Sequence, residues 1–200
     1  SFTQTADFDP GPGVYNFTAA GTDIFIEKLD MSGNFIWAKQ MVGNFAAYGY
    51  SLAADGLGNV YYTGSFWGSV DFDPGSGIYN LTSVATDDDI FISKLDLSGN
   101  FVWAKQISGL GENFSNSIAL DVNGNVYITG RFQFTVDFDP GPGIYNLTSI
   151  TWTDFFICKL DPSGNFIWAK QFGQWAVDCG NYLDLDNNGN IYLNGNFEGT

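Results

Sequence analysis

The segment DFDPGPG at residues 7–13 returns as DFDPGSG at 71–77 and again as DFDPGPG at 137–143. The three copies begin 64 and 66 residues apart, and a long stretch of similar sequence follows each of them. A period of this length indicates that the chain is an array of one repeated structural unit. We divide the sequence into units 1–64, 65–130 and 131–195, with 196–200 as the start of a fourth unit or a segment that closes a ring.

The second unit shows how one repeat should fold. Its segment IYNLTS (78–83) alternates apolar and polar residues, which is typical of a strand with one polar face. Residues 90–96 and 101–108 are apolar runs on either side of LSGN, and the runs 117–121 and 126–132 flank VNGN. Gly and Asn in such short connections favour tight hairpin turns. No stretch has a sustained helical apolar period, so the sequence predicts an all-β protein.

Strands such as IFIEK and FIWAK carry large apolar residues on both faces, so both faces should be covered. Radially packed sheets provide this cover. We therefore predict a β-propeller-like array of three four-stranded blades of about 65 residues each, with the DFDPG hairpin inserted between the second and third strands. Propellers usually have four to eight blades, so three blades are expected to belong to a larger ring or assembly. A closed ring and an open array both stay possible.

The charge of the chain restricts its partners. It has 22 acidic residues against 7 basic ones, for a net charge of −15, which disfavours binding to nucleic acid and to anionic membrane surfaces. Nineteen of the acidic residues are Asp, which suits turns, caps and sites for hard cations better than helices. The chain has no His, which excludes Ser–His–Asp triads and His-ligated zinc. No apolar run reaches the length of a membrane helix.

Each DFD segment is a candidate cation site, because alternation along an extended chain places its two carboxylates on one side and the Phe on the other. Clustered carboxylates and turn carbonyls are suitable ligands for Ca²⁺. In the alternative interpretation, which we favour, these side chains cap backbone N–H groups of the turn. The candidate calcium ligands are Asp7, Asp9, Asp71, Asp73, Asp137 and Asp139.

Other polar residues that recur in register are interpreted as architectural. The D-x-x-G-N segments resemble the start of a calcium loop but lack its later Glu, so we predict hairpin turns. Six of the seven basic residues recur at equivalent positions, and we expect their stems to pack between blades: Lys28, Lys39, Lys94, Lys105, Lys159 and Lys170. Three tryptophans recur in the same way, and we expect them to be core residues because apolar neighbours surround them in mid-strand: Trp37, Trp103 and Trp168. The N-F-T and N-L-T sequences are interpreted as strand residues. Cys158 and Cys179 occur in one unit only, and we expect buried free thiols, with a disulfide as the alternative.

Recognition is expected where the copies differ. Trp67, Trp152 and Trp175 do not recur, and the segments 42–50, 108–116 and 173–181 diverge between units. We interpret these segments as loops with aromatic residues beside polar ones, a composition found in sugar-binding and protein-binding surfaces. In the alternative interpretation, which we favour, these residues fill gaps between blades.

The combined pattern DxxGNVYxTGxF, DFDPGxGxYNLTS and TDxFIxKLDxSGNFxWAKQ resembles the bacterial SBBP β-propeller repeats, above all the long-period form in secreted surface proteins of Bacteroidetes. This resemblance covers nearly the whole chain. It implies a propeller-like fold and export, commonly by type IX secretion, and it transfers no catalytic residues.

Three functions of different classes follow. The first is a non-enzymatic, extracellular structural or adhesive module whose partners are other copies, further repeats, cell-surface proteins or glycans. The second is a glycan-binding propeller that uses Trp67, Trp152 or Trp175 as stacking surfaces. An enzyme is disfavoured, because a glycosidase needs two carboxylates at one centre whereas these pairs occur three times. Calcium is the one cofactor considered.

Overall fold

The computed structural model of the protein describes residues 1–84, 86–150, 152–173 and 177–197. Within these ranges the regular structure is entirely β. The strands in chain order are β1 (Thr5–Asp7), β2 (Asn16–Thr18), β3 (Ile24–Leu29), β4 (Phe35–Gly43), β5 (Ala46–Ala54), β6 (Val60–Trp67), β7 (Ser69–Asp71), β8 (Asn80–Thr82), β9 (Asp89–Leu95), β10 (Phe101–Gly109), β11 (Phe114–Leu120), β12 (Val126–Phe132), β13 (Thr135–Asp137), β14 (Asn146–Thr148), β15 (Asp154–Leu160), β16 (Phe166–Phe172), β17 (Cys179–Leu185) and β18 (Ile191–Asn196).

Two complete blades are formed, each a four-stranded antiparallel sheet. The first has the order β5–β6–β9–β10 and the second has the order β11–β12–β15–β16. The pairs β3–β4 and β17–β18 are half-blades: the first corresponds to the outer two strands of a blade and the second to the inner two. The all-β, propeller-like prediction is confirmed, as is the position of the inserted hairpin between the second and third strands. The unit boundaries drawn from the sequence stay a prediction.

The apolar core lies between neighbouring sheets. One cluster joins Ile92 and Ile107 of the first blade to Ile128 and Phe156 of the second. A second cluster joins Ile24 of β3 to residues of the first blade. Strands β9, β12 and β15 are buried along almost their whole length because a sheet packs on each of their faces.

The inserted hairpins tie one blade to the next. Hairpin β7–β8 belongs to the first complete blade, yet β7 pairs with the end of β4 in the preceding half-blade, opposite Val42 and Gly43. Its Phe72 is fully buried, and Tyr79 packs on Phe101 and donates its hydroxyl proton to the carbonyl of Ala104. Strand β13 pairs with β10 in the same way. The second and third DFDPG hairpins therefore bridge adjacent blades.

The divergent segments are only partly loops. We predicted loops over 42–50, 108–116 and 173–181, but β5, β11 and β17 begin inside them. In each case a β-bulge near the start of the strand leaves one residue unpaired, and this shifts the alternation by one position. The unpaired residues are Tyr50, Asn116 and Asn181. Residues 174–176 lie outside the described part of the chain.

Several recurring residues take the places expected of them. The N-F-T and N-L-T sequences are strands β2, β8 and β14. Trp37 and Trp103 pack against the core clusters, as predicted, but they are only half-buried. Their indole N–H groups donate to the carbonyls of Leu97 and Pro162 in the following blade. Both cysteines are free thiols: Cys158 is buried as predicted, whereas Cys179 is partly exposed.

Candidate functional site

The aspartates of the DFDPG turns accept backbone hydrogen bonds within their own turn. In the second copy, Oδ1 of Asp71 accepts the N–H groups of Asp73 at 3.0 Å and of Tyr79 at 2.8 Å. Oδ1 of Asp73 accepts the N–H of Gly75 at 2.8 Å. The same bonds occur in the other two copies. The two carboxylates therefore hold the shape of the turn, as the capping interpretation expects.

The second glycine of the motif has a steric reason. A Cβ atom on Gly77 would lie 2.2 Å from Oδ2 of Asp73, closer than any real Cβ contact. Gly13 and Gly143 stand in the same relation to Asp9 and Asp139. With any other residue at these positions, the Asp carboxylate would have to move.

The six candidate calcium ligands lie in three separate turns, two in each. Among the described residues, no group of three or more His, Cys, Asp or Glu side chains is arranged to hold a metal ion. A cation in one of these turns would therefore depend on two carboxylates and on backbone carbonyls. The calcium hypothesis stays a prediction.

Capping and calcium binding can be separated by two substitutions of Asp71. Asp71→Asn keeps an acceptor oxygen for the two N–H groups but removes the charge, whereas Asp71→Ala removes both. If the side chain acts as a cap, we expect Asn to cost a few tenths of a kcal/mol in the free energy of unfolding and Ala about 1 kcal/mol.

If Ca²⁺ binds the turns, Asp71→Asn should instead destabilise as much as Asp71→Ala. Chelator should then lower the wild-type melting temperature and added Ca²⁺ should restore it. Thermal unfolding of the three proteins, each with chelator and with Ca²⁺, distinguishes the two outcomes. A melting temperature unchanged by chelator would contradict calcium binding.

The six D-x-x-G-N and D-x-S-G-N segments form one kind of hairpin turn. In the copy at Asp96, Oδ1 accepts the N–H groups of Ser98 and Asn100, while Oδ2 accepts the side-chain amide of Asn100. These hydrogen bonds lower the pKa of the Asp96 carboxyl below its usual value. The prediction of hairpin turns is confirmed. The other aspartates of this kind are Asp30, Asp55, Asp121, Asp161 and Asp186.

An exposed cluster of aromatic rings lies on β5, β6 and the connection before β5. Trp67 stacks on Phe45, with ring centroids 4.6 Å apart and planes inclined by 21°. Tyr48 and Tyr50 stack with centroids 6.2 Å apart and planes inclined by 8°. All four side chains are more than a third exposed. We call Phe45, Tyr48, Tyr50 and Trp67 the aromatic patch.

The structure separates Trp67 from Trp152, two of the three predicted ligand-binding tryptophans. Trp67 belongs to the aromatic patch on the first blade, whereas Trp152 lies before β15 of the second blade and is largely exposed. Trp175 lies outside the described residues. Phe45, Tyr48 and Tyr50 complete the patch, and their signal in the sequence was the aromatic content of the divergent segment 42–50. The stacking itself depends on the pairing of Ala46 with Trp67 across β5 and β6.

The described part of the chain contains no helix that is long and apolar enough to cross a membrane.

Comparisons with known proteins agree with this architecture. The model of the SBBP β-propeller repeat matches residues 36–69 and 102–131, which are equivalent parts of consecutive repeats and run from an outer strand into the next blade. The chain is 31% identical over 180 residues to an uncharacterized WD repeat-containing protein, L264, of Acanthamoeba polyphaga mimivirus, a match covering 82% of this chain and 13% of that protein. It is also 29% identical over 126 residues to the regulatory protein FlaEY of Caulobacter vibrioides, covering 61% of this chain and 13% of that protein.

The chain therefore corresponds to a small part of the length of each of these two relatives. The family match falls on the same strands in two successive repeats, and the sheets there have the antiparallel order of propeller blades. Residues 36–69 and 102–131 are therefore similar to the SBBP β-propeller repeat in sequence, and the sheets that they form agree with that similarity.

Proposed function

We propose that the chain is a non-enzymatic, extracellular repeat module that makes adhesive or structural protein–protein contacts in a secreted or cell-surface bacterial protein. The aromatic patch carries this proposal. The polar residues that recur in every copy are engaged in turns and between blades, whereas the patch occurs once and faces solvent. The relationship to β-propeller and WD repeats supports a module for protein interaction.

The composition of the patch suits a protein partner. Trp and Tyr are enriched in protein interfaces because their rings bury a large area while few side-chain rotations are lost. In the patch, two stacked pairs hold the rings in place before any partner binds. This order should lower the entropic cost of association.

An extracellular location and a non-enzymatic role are parts of the same proposal. The resemblance to long-period repeats of secreted Bacteroidetes proteins supports an extracellular location reached by type IX secretion. The absence of His, together with carboxylate pairs engaged in turn hydrogen bonds, supports a non-enzymatic role.

A glycan-binding module is the second candidate. An exposed Trp–Phe stack offers the flat apolar surface on which sugar rings pack, and Trp67 with Phe45 presents one. This alternative differs from the first in the chemistry of the partner, not in the surface used.

Binding of the labelled protein to intact bacterial cells tests both candidates. We expect binding that is lost when the cells are treated with protease and that falls at least tenfold in Trp67→Ala and Phe45→Ala. Ile78→Ala is the matched control, because Ile78 is exposed at the tip of the β7–β8 hairpin.

Binding that survives protease but disappears after glycosidase treatment would favour the glycan-binding alternative, and a glycan array would then identify the sugar. Binding that is equal in the wild type and in both patch variants would contradict a role for the patch. A wild type that does not bind cells would overturn the adhesive proposal.

A further inference from the structure

Two buried carboxylates meet beside Gly173 in the third copy of the repeat. Asp154 is the first residue of β15 and is fully buried, and Asp178, which directly precedes β17, is 1% exposed. A Cβ atom on Gly173 would lie 2.6 Å from Oδ1 of Asp154 and 2.7 Å from Oδ2 of Asp178. The two oxygens therefore face the same small space, close enough together for a single ion to contact both.

The equivalents of Asp154 in the first two copies are Asp23 and Asp89, and both of their carboxylate oxygens accept hydrogen bonds. Oδ1 of Asp23 accepts the N–H of Gly43 at 3.0 Å, and Oδ1 of Asp89 accepts the N–H of Gly109 at 3.3 Å. Oδ2 of each carboxylate accepts the side-chain amide of a glutamine at 2.7 Å. In these copies the protein itself provides donors for the whole buried group, as a buried carboxylate requires.

The third copy keeps only half of this arrangement. Oδ2 of Asp154 accepts the side-chain amide of Gln171 and the N–H of Ile150, but Oδ1 is buried and accepts no hydrogen bond from any described residue. The reason is the length of the fourth strand: β16 has seven residues, whereas β4 and β10 have nine, and the last of these nine donates its N–H to Oδ1. A buried carboxylate oxygen without a donor is costly, so it points to a ligand.

Only the third copy places a second carboxylate at this point. The residues equivalent to Asp178 are Ala47 in the first copy and Asn113 in the second. Asn113 donates its side-chain amide to the carbonyl of Gly111 at 2.9 Å and accepts the N–H of Gln133 at 3.2 Å, so it acts as a neutral bridge. An ionised aspartate cannot donate such a bond. The change from Asn to Asp therefore adds a negative charge beside one that is already buried.

Gly173 leaves room next to these two carboxylates. The equivalent residues are Val42 and Ser108, which both have side chains, so the third copy loses a side chain at the point where it gains a charge. Two buried hydroxyls in the connection that leads into β15, those of Ser149 and Thr153, also have no hydrogen-bond partner among the described residues. This part of the third blade is therefore rich in oxygen atoms that the described chain leaves unsatisfied.

The negative charges of the pair need to be balanced. Desolvation raises the pKa of the Asp154 carboxyl and the charge of Asp178 raises it further, although the hydrogen bonds to Asp154 act in the opposite direction. Asp154 forms no ion pair with a Lys or Arg of the described chain. A proton or a bound cation would relieve the repulsion. A proton needs no space, whereas a cation needs the room that Gly173 leaves, so the geometry favours a cation.

We propose that Asp154 and Asp178 bind one Ca²⁺ ion beside Gly173, with Oδ1 of the first and Oδ2 of the second as its carboxylate ligands. Ca²⁺ takes six to eight oxygen ligands at about 2.3–2.6 Å in a flexible geometry, so carbonyl oxygens and waters complete the coordination. With only two carboxylates, the dissociation constant should be on the order of 0.1–1 mM. This site differs from the DFDPG turns, because it occurs once and its oxygen Oδ1 of Asp154 is not used in a turn.

Thermal unfolding with and without Ca²⁺ tests the proposal. We expect about 10 mM Ca²⁺ to raise the melting temperature of the wild type by several degrees, since the ion binds only the folded chain. Asp178→Asn and Asp178→Ala should lose most of this increase. Each variant carries the residue that another copy has at the same position, so both should fold, which circular dichroism checks. Asp71→Asn, in a DFDPG turn, is the matched control and should keep the increase.

Calorimetric titration with Ca²⁺ provides the decisive measurement. We expect one more Ca²⁺ site in the wild type than in the two Asp178 variants. Mg²⁺ at the same ionic strength controls for screening of the net charge of −15 and should stabilise less.

Three results would overturn the proposal. The first is a stabilisation that Mg²⁺ reproduces in full, and the second is a stabilisation that both Asp178 variants retain. If the retained effect then disappears in Asp71→Asn, Ca²⁺ binds the turns instead. The third is a wild type that ignores Ca²⁺ and gains stability on acidification relative to Asp178→Asn, because the pair would then share a proton. None of these substitutions lies in the aromatic patch, so a failure here is distinct from a failure of cell binding.

Discussion

Replacing Gly64 with alanine is expected to lower the free energy of unfolding by about 3 kcal/mol. Gly64 lies in β6 opposite Gly49, at the bulge of β5. A Cβ atom on Gly64 would lie 1.8 Å from the carbonyl oxygen of Tyr48 and 3.0 Å from the ring of Phe91. The carbonyl oxygen of Tyr48 is a backbone atom, so it cannot rotate away as a side-chain atom can. The strand pair would have to separate locally, and urea unfolding measures the cost.

Gly56→Ala is the matched control for this substitution. Gly56 lies in the β5–β6 turn, and a Cβ atom there would meet no atom within 4 Å. We expect its effect on the free energy of unfolding to stay within about 0.5 kcal/mol. Equal urea midpoints for the two variants would show that the close approach at the bulge does not constrain the fold. Gly130 should behave like Gly64, because its Cβ atom would lie 1.9 Å from the carbonyl of Phe114.

Replacing Asp89 with alanine should also lower the free energy of unfolding strongly, and we expect the size of this loss to depend on pH. Asp89 is fully buried and accepts hydrogen bonds from the side-chain amide of Gln106 at 2.7 Å and from the N–H groups of Val84 at 2.8 Å and Gly109 at 3.3 Å. Removing the Asp89 carboxyl leaves these buried donors without an acceptor. We expect this to lower the free energy of unfolding by about 3 kcal/mol near pH 5.

The pH dependence follows from the burial of Asp89. Desolvation raises the pKa of this carboxyl to about 6, although its hydrogen bonds act in the opposite direction. The folded-state pKa therefore exceeds the unfolded value of about 3.9. Stability from the protonated group is fully present below pH 3.9 and is lost as the pH rises through 6. The cost of Asp89→Ala should accordingly fall to roughly half between pH 5 and pH 7.

Urea unfolding of the wild type and of Asp89→Ala at several pH values measures this change. Glu112→Ala removes an exposed carboxylate from the connection between β10 and β11 and serves as the control. A cost of Asp89→Ala that is constant from pH 5 to pH 7 would contradict the raised pKa. The exposed turn aspartates act with the opposite sign, since their lowered pKa values contribute stability that is lost on acidification.

The hairpins could be predicted because their chemistry is local. Asp96 bonds to residues two and four positions ahead, so one short motif contains the whole turn. The aspartates of the DFDPG turns are similar, since Tyr79 is the most distant residue along the chain that donates a hydrogen bond to Asp71. Strand positions were also predictable, because alternation and apolar runs identify strands residue by residue.

The candidate site was less predictable. The divergence of segment 42–50 pointed to this region, but a bulge lets β5 start inside it and changes which side chains face outward. Trp67 was identified because it does not recur, yet its stacking on Phe45 depends on two strands meeting across a turn. A bulge leaves a weak signal in a single sequence, and so does an aromatic contact across strands.

The sequence by itself determined the period, the four strands of each blade and the turns between them, because turn hydrogen bonds and strand alternation act over a few residues. Only the tertiary structure decided that the second and third DFDPG hairpins pair with the preceding sheet, β7 with β4 and β13 with β10. These features join residues far apart in the chain, such as Val42 with Asp71. Their geometry follows from sheets packing face to face, which no local pattern specifies.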